Sequence, residues 1–476
     1  MNSNQKPESH VIALDLQRLL KEVTKKDVRT MKWDINCIFN EKNWDIPTTI
    51  EEHQFHEFFD THIVVKGTWI YLNEKAVIAL RRLVTILRNY FDLSVLMTFN
   101  DMWQLLLKDM EHWLEKEQAP DHLDEFLVGF LPRLNELVTE QYTFLYRVQG
   151  LKFEADLDKL ELGSLVLERY DPEKIKNLIR DDIVDKILDE NFVGSNVIYG
   201  SMDGTMDAAR ERFLALSRQI LSVVSLYFCV LNVRSMLKND LRLVDAIEGG
   251  YAAAQSLCWE RDSPHLTMLI PGVQKIISIS DKEVKYIREQ CFFDQCVGII
   301  EKRVRSEVEE SIVNAIFWFG EAARDPELTM KFVKLWSCAE TFFSTSEEEL
   351  TETNATGITA VLTYGGYGYI KPENYDTTKR KLKTFYGHRS KALHRARFGH
   401  LTTNDVMEFS LMIAWLVINI VAFTTRGVSS HQQILDECYR LDSFHSVEKN
   451  NPAREPCWQK LHRLVLGAIK GFRKSR

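Results

Sequence analysis

The sequence predicts a mostly helical protein, all-α in class, and three observations carry that expectation. Only 11 prolines and 21 glycines interrupt 476 residues. Long segments of Leu, Ile and Ala interleaved with Lys and Glu recur, the pattern of amphipathic helices. The apolar and charged shares, 45% and 27%, are those of an ordinary globular chain, long enough for two or three domains with cores of their own.

Taken in order, a helix is expected over Val11–Thr24. A mixed stretch follows, in which His62–Leu72, centred on Gly67, reads as a short hairpin. Asn73 is placed to cap a helix running to Phe91, and Asn100 to cap another that carries Trp103, Leu106, Met110 and Trp113 on one face. Helices are expected over 121–148 and 172–190. The Gly, Ser and Asn of Val193–Gly204 mark an internal boundary before a long helix, Asp207–Leu237. Pro264 and Pro271 mark a second boundary, Asp262–Gly272. A helix over 301–323 aligns Val304, Val308, Ile312, Ile316 and Phe319, and another covers Glu327–Phe343. A polar connection rich in Gly and Tyr, Glu347–Asp376, surrounds a short helix at 355–363. The last clear helix is Lys379–Phe398. The organisation expected from these signals is an N-terminal region over 1–200 with sensing or regulatory work, a helical connector over 201–300, a bundle over 301–430, and a basic helical extension over 431–476.

Several function classes are set aside by composition and motif. Met1–Pro7 is polar, so no secretory signal is expected. The apolar runs Ile220–Val233 and Phe409–Phe423 contain Ser222, Ser225, Asn232, Ser410 and Asn419 and fall short of a bilayer span, so no membrane partner is expected. Eight scattered cysteines without a C-x-x-C pair point to reduced thiols and a cytoplasmic location. Tyr364, Tyr367 and Tyr369 belong to a surface loop or to a base-stacking platform, and no phosphate-cradling glycine motif accompanies them. His53, His56 and His62 with Glu52, Glu57 and Asp60 offer metal donors, but without H-E-x-x-H or cysteine partners, and neither a metal nor a cofactor is expected. The basic end, Lys460–Arg476, is either an RNA-binding surface or a solvated amphipathic segment.

The segment that carries chemistry is Arg389-Ser390-Lys391-Ala392-Leu393-His394. The apolar stripe of its helix runs Leu382, Phe385, position 389, Leu393 and Ala396, so Arg389 stands where an apolar residue belongs. A guanidinium there needs a carboxylate or an anionic ligand. Glu340, bordering the stripe Phe332, Leu335, Trp336, Ala339 and Phe343 four residues after Trp336, is the natural carboxylate, either as a structural ion pair or as a support for a site. From Lys379 to Arg397 there are eight basic residues (Lys379, Arg380, Lys381, Lys383, Arg389, Lys391, Arg395, Arg397) and no acid, in a chain of net charge −8. That local excess reads as a phosphate-backbone groove or as a solvated face. At about 100° per residue, positions five apart diverge by about 140°. Arg389 and His394 on one helix therefore do not reach one phosphate easily, whereas His394, Ser390 and Tyr386 share a face. Two copies of the helix across a two-fold axis resolve this, so a homodimer is expected.

Phe385–His394 resembles the Arg and His signature of the HEPN superfamily, in particular its ApeA-like branch, where an aromatic residue precedes Arg-Ser and a His follows. Ala315–Ala322 and Phe332–Phe343 resemble the first two helices of that branch. The resemblance covers about residues 300–425 and departs from the pattern at Arg395, where a glycine often stands. It implies a bundle of four or five helices and a metal-independent ribonuclease of toxin, phage-defence (abortive infection) or stress systems, acting as a homodimer. The implied catalytic residues are Arg389, His394 and Ser390, supported by Glu340 and Tyr386. Lys379, Arg380, Lys381, Lys383, Lys391, Arg395 and Arg397 would contact RNA, with tRNA and mRNA the expected classes. A phage-derived trigger or an inhibitory partner would act through the N-terminal region. The alternative is a non-catalytic HEPN-like module that binds RNA or dimerises, the N-terminal region being the functional part.

Overall fold

The computed structural model describes residues 25–45, 62–91, 93–116, 120, 123–138, 140–173, 192–232, 241–244, 256–259, 266–269, 277–343, 350–395 and 401–450, and the structural statements below concern these residues. Contacts divide the chain into two compact units, Met1–Phe144 with Ser201–Leu214, and Leu145–Gly200 with Ala215–Arg476. The chain thus leaves the first unit and returns to it.

In the first unit α1 (Lys25–Ile38) packs on α2 (Glu74–Tyr90), α2 on α3 (Phe99–Glu115), and α4 (Leu123–Val138) on α1. Leu80, Leu83 and Leu87 of α2, Leu106 and Met110 of α3, and Phe126, Phe130 and Leu134 of α4 form its buried core. A small sheet of order β1-β3-β2 accompanies them: β1 (Trp44–Asp45), β2 (His62–Val65) and β3 (Thr68–Leu72). The expected hairpin is β2 and β3, paired antiparallel from His62↔Tyr71 to Val65↔Thr68. Lys66 and Gly67 form its turn with φ of +50° and +81°, the doubly left-handed geometry that matches strand twist. Asn73 caps α2 by accepting from the backbone N–H groups of Lys75 and Ala76. The cap of α3 is Thr98 and not Asn100, because Asp101 lies three residues on and completes a reciprocal box with Thr98.

The all-α class is corrected by strands. Thirteen α-helices among the described residues make the protein mostly helical, but the helix expected over 121–148 ends at Val138 and gives way to β4 (Gln141–Gln149). Tyr142, Phe144, Tyr146 and Val148 recur there with period two, which suits a strand. A five-stranded sheet has the order β6-β7-β8-β4-β9, with β6 (Lys159–Leu162), β7 (Leu165–Arg169), β8 (Asn196–Asp203) and β9 (Arg242–Val244). Val193–Gly204, expected as a boundary, largely forms β8, whose Val197 and Ile198 are buried. A separate two-stranded sheet pairs β5 (Leu151–Phe153) in parallel with β12 (Ile277–Ile279). Part of the second expected boundary, Asp262–Gly272, is β11 (Leu266–Leu269), antiparallel to β10 (Ser256–Trp259). The expected helix Val11–Thr24 and positions 174–190 lie outside the described residues, as do His53, His56, Glu52, Glu57, Asp60 and Lys460–Arg476.

The second unit continues with α5 (Met206–Leu231, within it from Ala215), α6 (Asp281–Gln290) and α7 (Phe293–Glu301). Six helices then form a bundle: α8 (Glu307–Arg324), α9 (Leu328–Phe343), α10 (Leu350–Tyr364), α11 (Tyr375–Arg395), α12 (Thr403–Thr424) and α13 (His431–Asn450). A capping box of Ser306 and Glu309 starts α8 six residues later than expected, which leaves Val304 outside it and 82% exposed. Val308, Ile312, Ile316 and Phe319 are buried as the spacing predicts. The central element is α9, in contact with α8 and with every helix from α10 to α13. It is apolar nearly all round, burying Phe332, Leu335, Trp336, Cys338, Ala339, Phe342 and Phe343. Helix α10 is longer than the 355–363 expected, and Gly357 permits its approach to α9, since a Cβ there would lie 2.6 Å from the Phe343 ring. By length and composition α5 and α12 could cross a membrane, contrary to the estimate from their polar interruptions. Both bury most of that apolar stretch in the fold, 67% and 78%.

Lys331 is a buried cation at the start of α9. It is 1% exposed, and its Nζ donates to Ala323 O at 2.8 Å, closing an otherwise unsatisfied carbonyl at the end of α8. Burial pulls its pKa down to about 8 from 10.5, with Asp325 opposing. A buried ammonium costs stability while both folded and unfolded states are protonated. That cost is relieved as pH rises from the folded toward the unfolded value. Chemical denaturation of wild type and Lys331→Met should therefore show their stability difference moving in favour of wild type by about 3 kcal/mol between pH 8 and 10.5. A difference independent of pH would contradict this.

Candidate functional site

The sequence segment singled out above lies in the last turns of α11. Leu382, Phe385 and Ala392 are buried on its inner face, and they bring Arg389 against α9. Arg389 Nη2 donates to Glu340 Oε2 at 2.9 Å, with the two side chains 20% and 17% exposed. The pair expected from two separate apolar stripes is therefore present. It rests on aromatic rings. Phe332, Trp336, Phe385 and Phe409 pack with centroid separations of 4.8–5.7 Å, and Trp336 meets Tyr386 edge-on at 5.2 Å. The guanidinium carbon stands 5.6 Å from the Tyr386 ring centroid, close enough for cation–π attraction.

The electrostatics of the pair are set mainly by desolvation. Burial pushes the Glu340 carboxyl above its ordinary value, and the Arg389 charge and the Tyr386 hydroxyl only partly offset it. Burial, and then the Glu340 charge, likewise raises the Tyr386 phenol. A carboxyl whose folded pKa is raised holds its proton more tightly than the unfolded chain does, so stability falls as pH rises through that interval. The ionised pair is thus a net cost to folding at neutral pH. Arg389 is joined to Glu340 at one point, and its Nε is buried with no hydrogen-bond partner among the described residues. Glu340 thus uses only part of the hydrogen-bonding capacity of the guanidinium, and the 20% of the side chain that is exposed is the part open to an anion.

The remaining expected residues are placed unequally. Ser390 is half-buried on α11, and Tyr386 lies beneath the ion pair. His394 has its backbone in the final turn of α11, one turn beyond Ser390, but its side chain lies outside the described residues, as do the Arg395 side chain and Arg397. The basic stripe is shorter than its sequence implies, because acids arrive from other helices. Lys379 Nζ lies 3.1 Å from Glu352 and 3.5 Å from Asp442, Lys383 pairs with Glu352, and Lys381 pairs with Glu408. Arg380 and Lys391 are exposed and have no ion pair among the described residues. Glu352, Glu408 and Asp442 were not apparent from sequence, since they come from α10, α12 and α13.

The tyrosines of the Gly/Tyr connection are structural. Tyr364 Oη meets His445 Nδ1 at 2.8 Å, Tyr367 Oη donates to Gln290 O at 2.6 Å, and Tyr369 stacks on Trp415. These contacts hold the connection onto the bundle instead of presenting rings to bases. Comparison with family models, with curated proteins and with solved structures finds no match for this chain.

Thermal denaturation at neutral pH tests the pair. Arg389→Ala should lower stability by about 1–3 kcal/mol, because it leaves a largely buried carboxylate without its cation. Glu340→Gln should leave the melting temperature unchanged or raise it, and adding it to Arg389→Ala should restore most of the loss. A double variant no more stable than Arg389→Ala would show that the carboxylate is not the source of the cost.

Proposed function

We propose that this chain is a metal-independent endoribonuclease of HEPN type, an effector of toxin or anti-phage (abortive infection) systems that works as a cytoplasmic homodimer on RNA. The observation that carries this reading is Arg389 itself, a guanidinium on the packed face of α11, tied at a single point to Glu340 and five positions before His394. Further support comes from the contact of α9 with both α8 and α11, the three helices that hold the blocks resembling that superfamily.

In the proposed reaction the 2'-hydroxyl attacks the neighbouring phosphorus and the 5'-oxygen leaves, giving a 2',3'-cyclic phosphate and a 5'-hydroxyl. His394 acts as general acid or base, since an imidazole titrates near neutral pH. Arg389 holds the phosphate and stabilises the charge that develops on it. Ser390 orients the histidine or the phosphate, Glu340 and Tyr386 position Arg389, and Arg380 and Lys391 contact the backbone. Because positions 389 and 394 diverge around the helix, the working site combines Arg389 of one protomer with His394 of another. The N-terminal region senses a trigger or restrains the site.

The neutralised lysines favour a second reading, a HEPN-like module that binds RNA or dimerises without cutting, because paired lysines release fewer counterions on binding RNA. One assay separates the two. Purified protein should cut labelled RNA in excess EDTA, and His394→Ala should abolish cutting with little change in melting temperature. Cutting that stops in EDTA and returns with a divalent metal would exclude the proposed mechanism. Intact RNA with folded wild-type dimer would favour the binding module.

A further inference from the structure

Arg389 faces two anions in this scheme, the carboxylate it already touches and the phosphate it is meant to hold. Their competition follows from the geometry. The guanidinium meets Glu340 through Nη2 alone, at 2.9 Å, so the contact lacks the paired hydrogen bonds that make an Arg–carboxylate fork strong. Both side chains retain an exposed fraction, 20% and 17%, so an incoming phosphate can reach the same edge. An RNA phosphate arriving there would meet the Glu340 charge as well as the Arg389 charge, and like charges at a partly desolvated site repel. The groups acting on Glu340 are Arg389 and Tyr386, both from α11. Among the described residues, none from α8, α10, α12 or α13 is among them. Tyr386 therefore supplies an alternative partner for the carboxyl when Arg389 turns away.

We propose that Glu340 is a resident anion that occupies Arg389 until an RNA phosphate displaces it, making the pair an autoinhibitory contact within the site. This rests on the reading of Arg389 as the phosphate-holding residue. The contact keeps the guanidinium neutralised in the free protein and sets a threshold on RNA binding. The same carboxylate gives the Arg389 guanidinium a counter-charge in the absence of RNA, which explains why a pair that costs stability is present. Loss of the Glu340 charge, by substitution or by protonation, removes the competitor.

The test measures binding apart from cleavage. Fluorescence anisotropy with a labelled, 2'-O-methylated single-stranded RNA, which cannot be cut by 2'-hydroxyl attack, is recorded for wild type, Glu340→Gln, Arg389→Ala and the double variant. Glu340→Gln should bind about tenfold more tightly than wild type, and the gain should vanish in the double variant. The gain should also shrink as pH falls and wild-type Glu340 takes up its proton. Binding by Glu340→Gln that is unchanged or weaker, at a wild-type melting temperature, would overturn the proposal. Glu340→Met, which removes the charge at similar volume, makes the same comparison if the Gln variant melts early. A wild type that never cuts RNA while Glu340→Gln shows the Arg389-dependent gain would remove the ribonuclease reading and leave the inhibitory contact standing. Cleavage by wild type without that gain would do the reverse.

Discussion

A guanidinium on the packed face of a helix must find a negative charge, and Arg389 finds it in Glu340. Much of the bundle's local arrangement follows from that requirement. Helix α9 is central and apolar nearly all round, so a carboxylate on it can be tolerated only at its border, where Glu340 stands beside Trp336 and Ala339. Helix α11 must then lie close enough to α9 to bring Arg389 within 2.9 Å of that carboxylate. The rings of Phe332, Phe385 and Phe409 pack together where α9, α11 and α12 meet. Because desolvation outweighs the attraction of Arg389 for Glu340, the pair is better understood as a poised charge than as a clamp for the fold.

A different logic governs the lysines of the same helix. Lys379, Lys381 and Lys383 lie in the first half of α11, where α10, α12 and α13 contribute Glu352, Glu408 and Asp442. Their charges serve to dock helices. The positive field of α11 consequently rests on fewer residues than a count along the sequence implies, and the placement of Arg389 matters more than the density of charge around it.

The sequence conveyed those features that local periodicity and turn chemistry determine. Val308, Ile312, Ile316 and Phe319 fixed one buried face by spacing alone, and Gly67 located the hairpin because its turn needs left-handed backbone. Glu340 and Arg389 were legible as partners because each interrupts or borders an apolar stripe. What stayed hidden was set by contacts remote in sequence or by short strands. Leu160, Leu162, Leu165 and Leu167 alternate about the Gly163-Ser164 turn, a period-two signal only a few residues long. The polar residues of Asn196–Asp203 mask a strand whose buried positions are few. Acids that neutralise α11 lie on three other helices, so no spacing within α11 could reveal them.

The chemistry of the RNA ends tests the central claim most directly. RNA cut by the purified protein can be examined for a 2',3'-cyclic phosphate on the upstream fragment and for a 5'-hydroxyl that polynucleotide kinase labels without prior dephosphorylation. Transesterification assisted by Arg389 and His394 predicts both ends, with neither formed by Arg389→Ala. Fragments bearing 5'-phosphate and 3'-hydroxyl ends would contradict it, because attack by water with loss of the 3'-oxygen requires a different arrangement of catalytic groups.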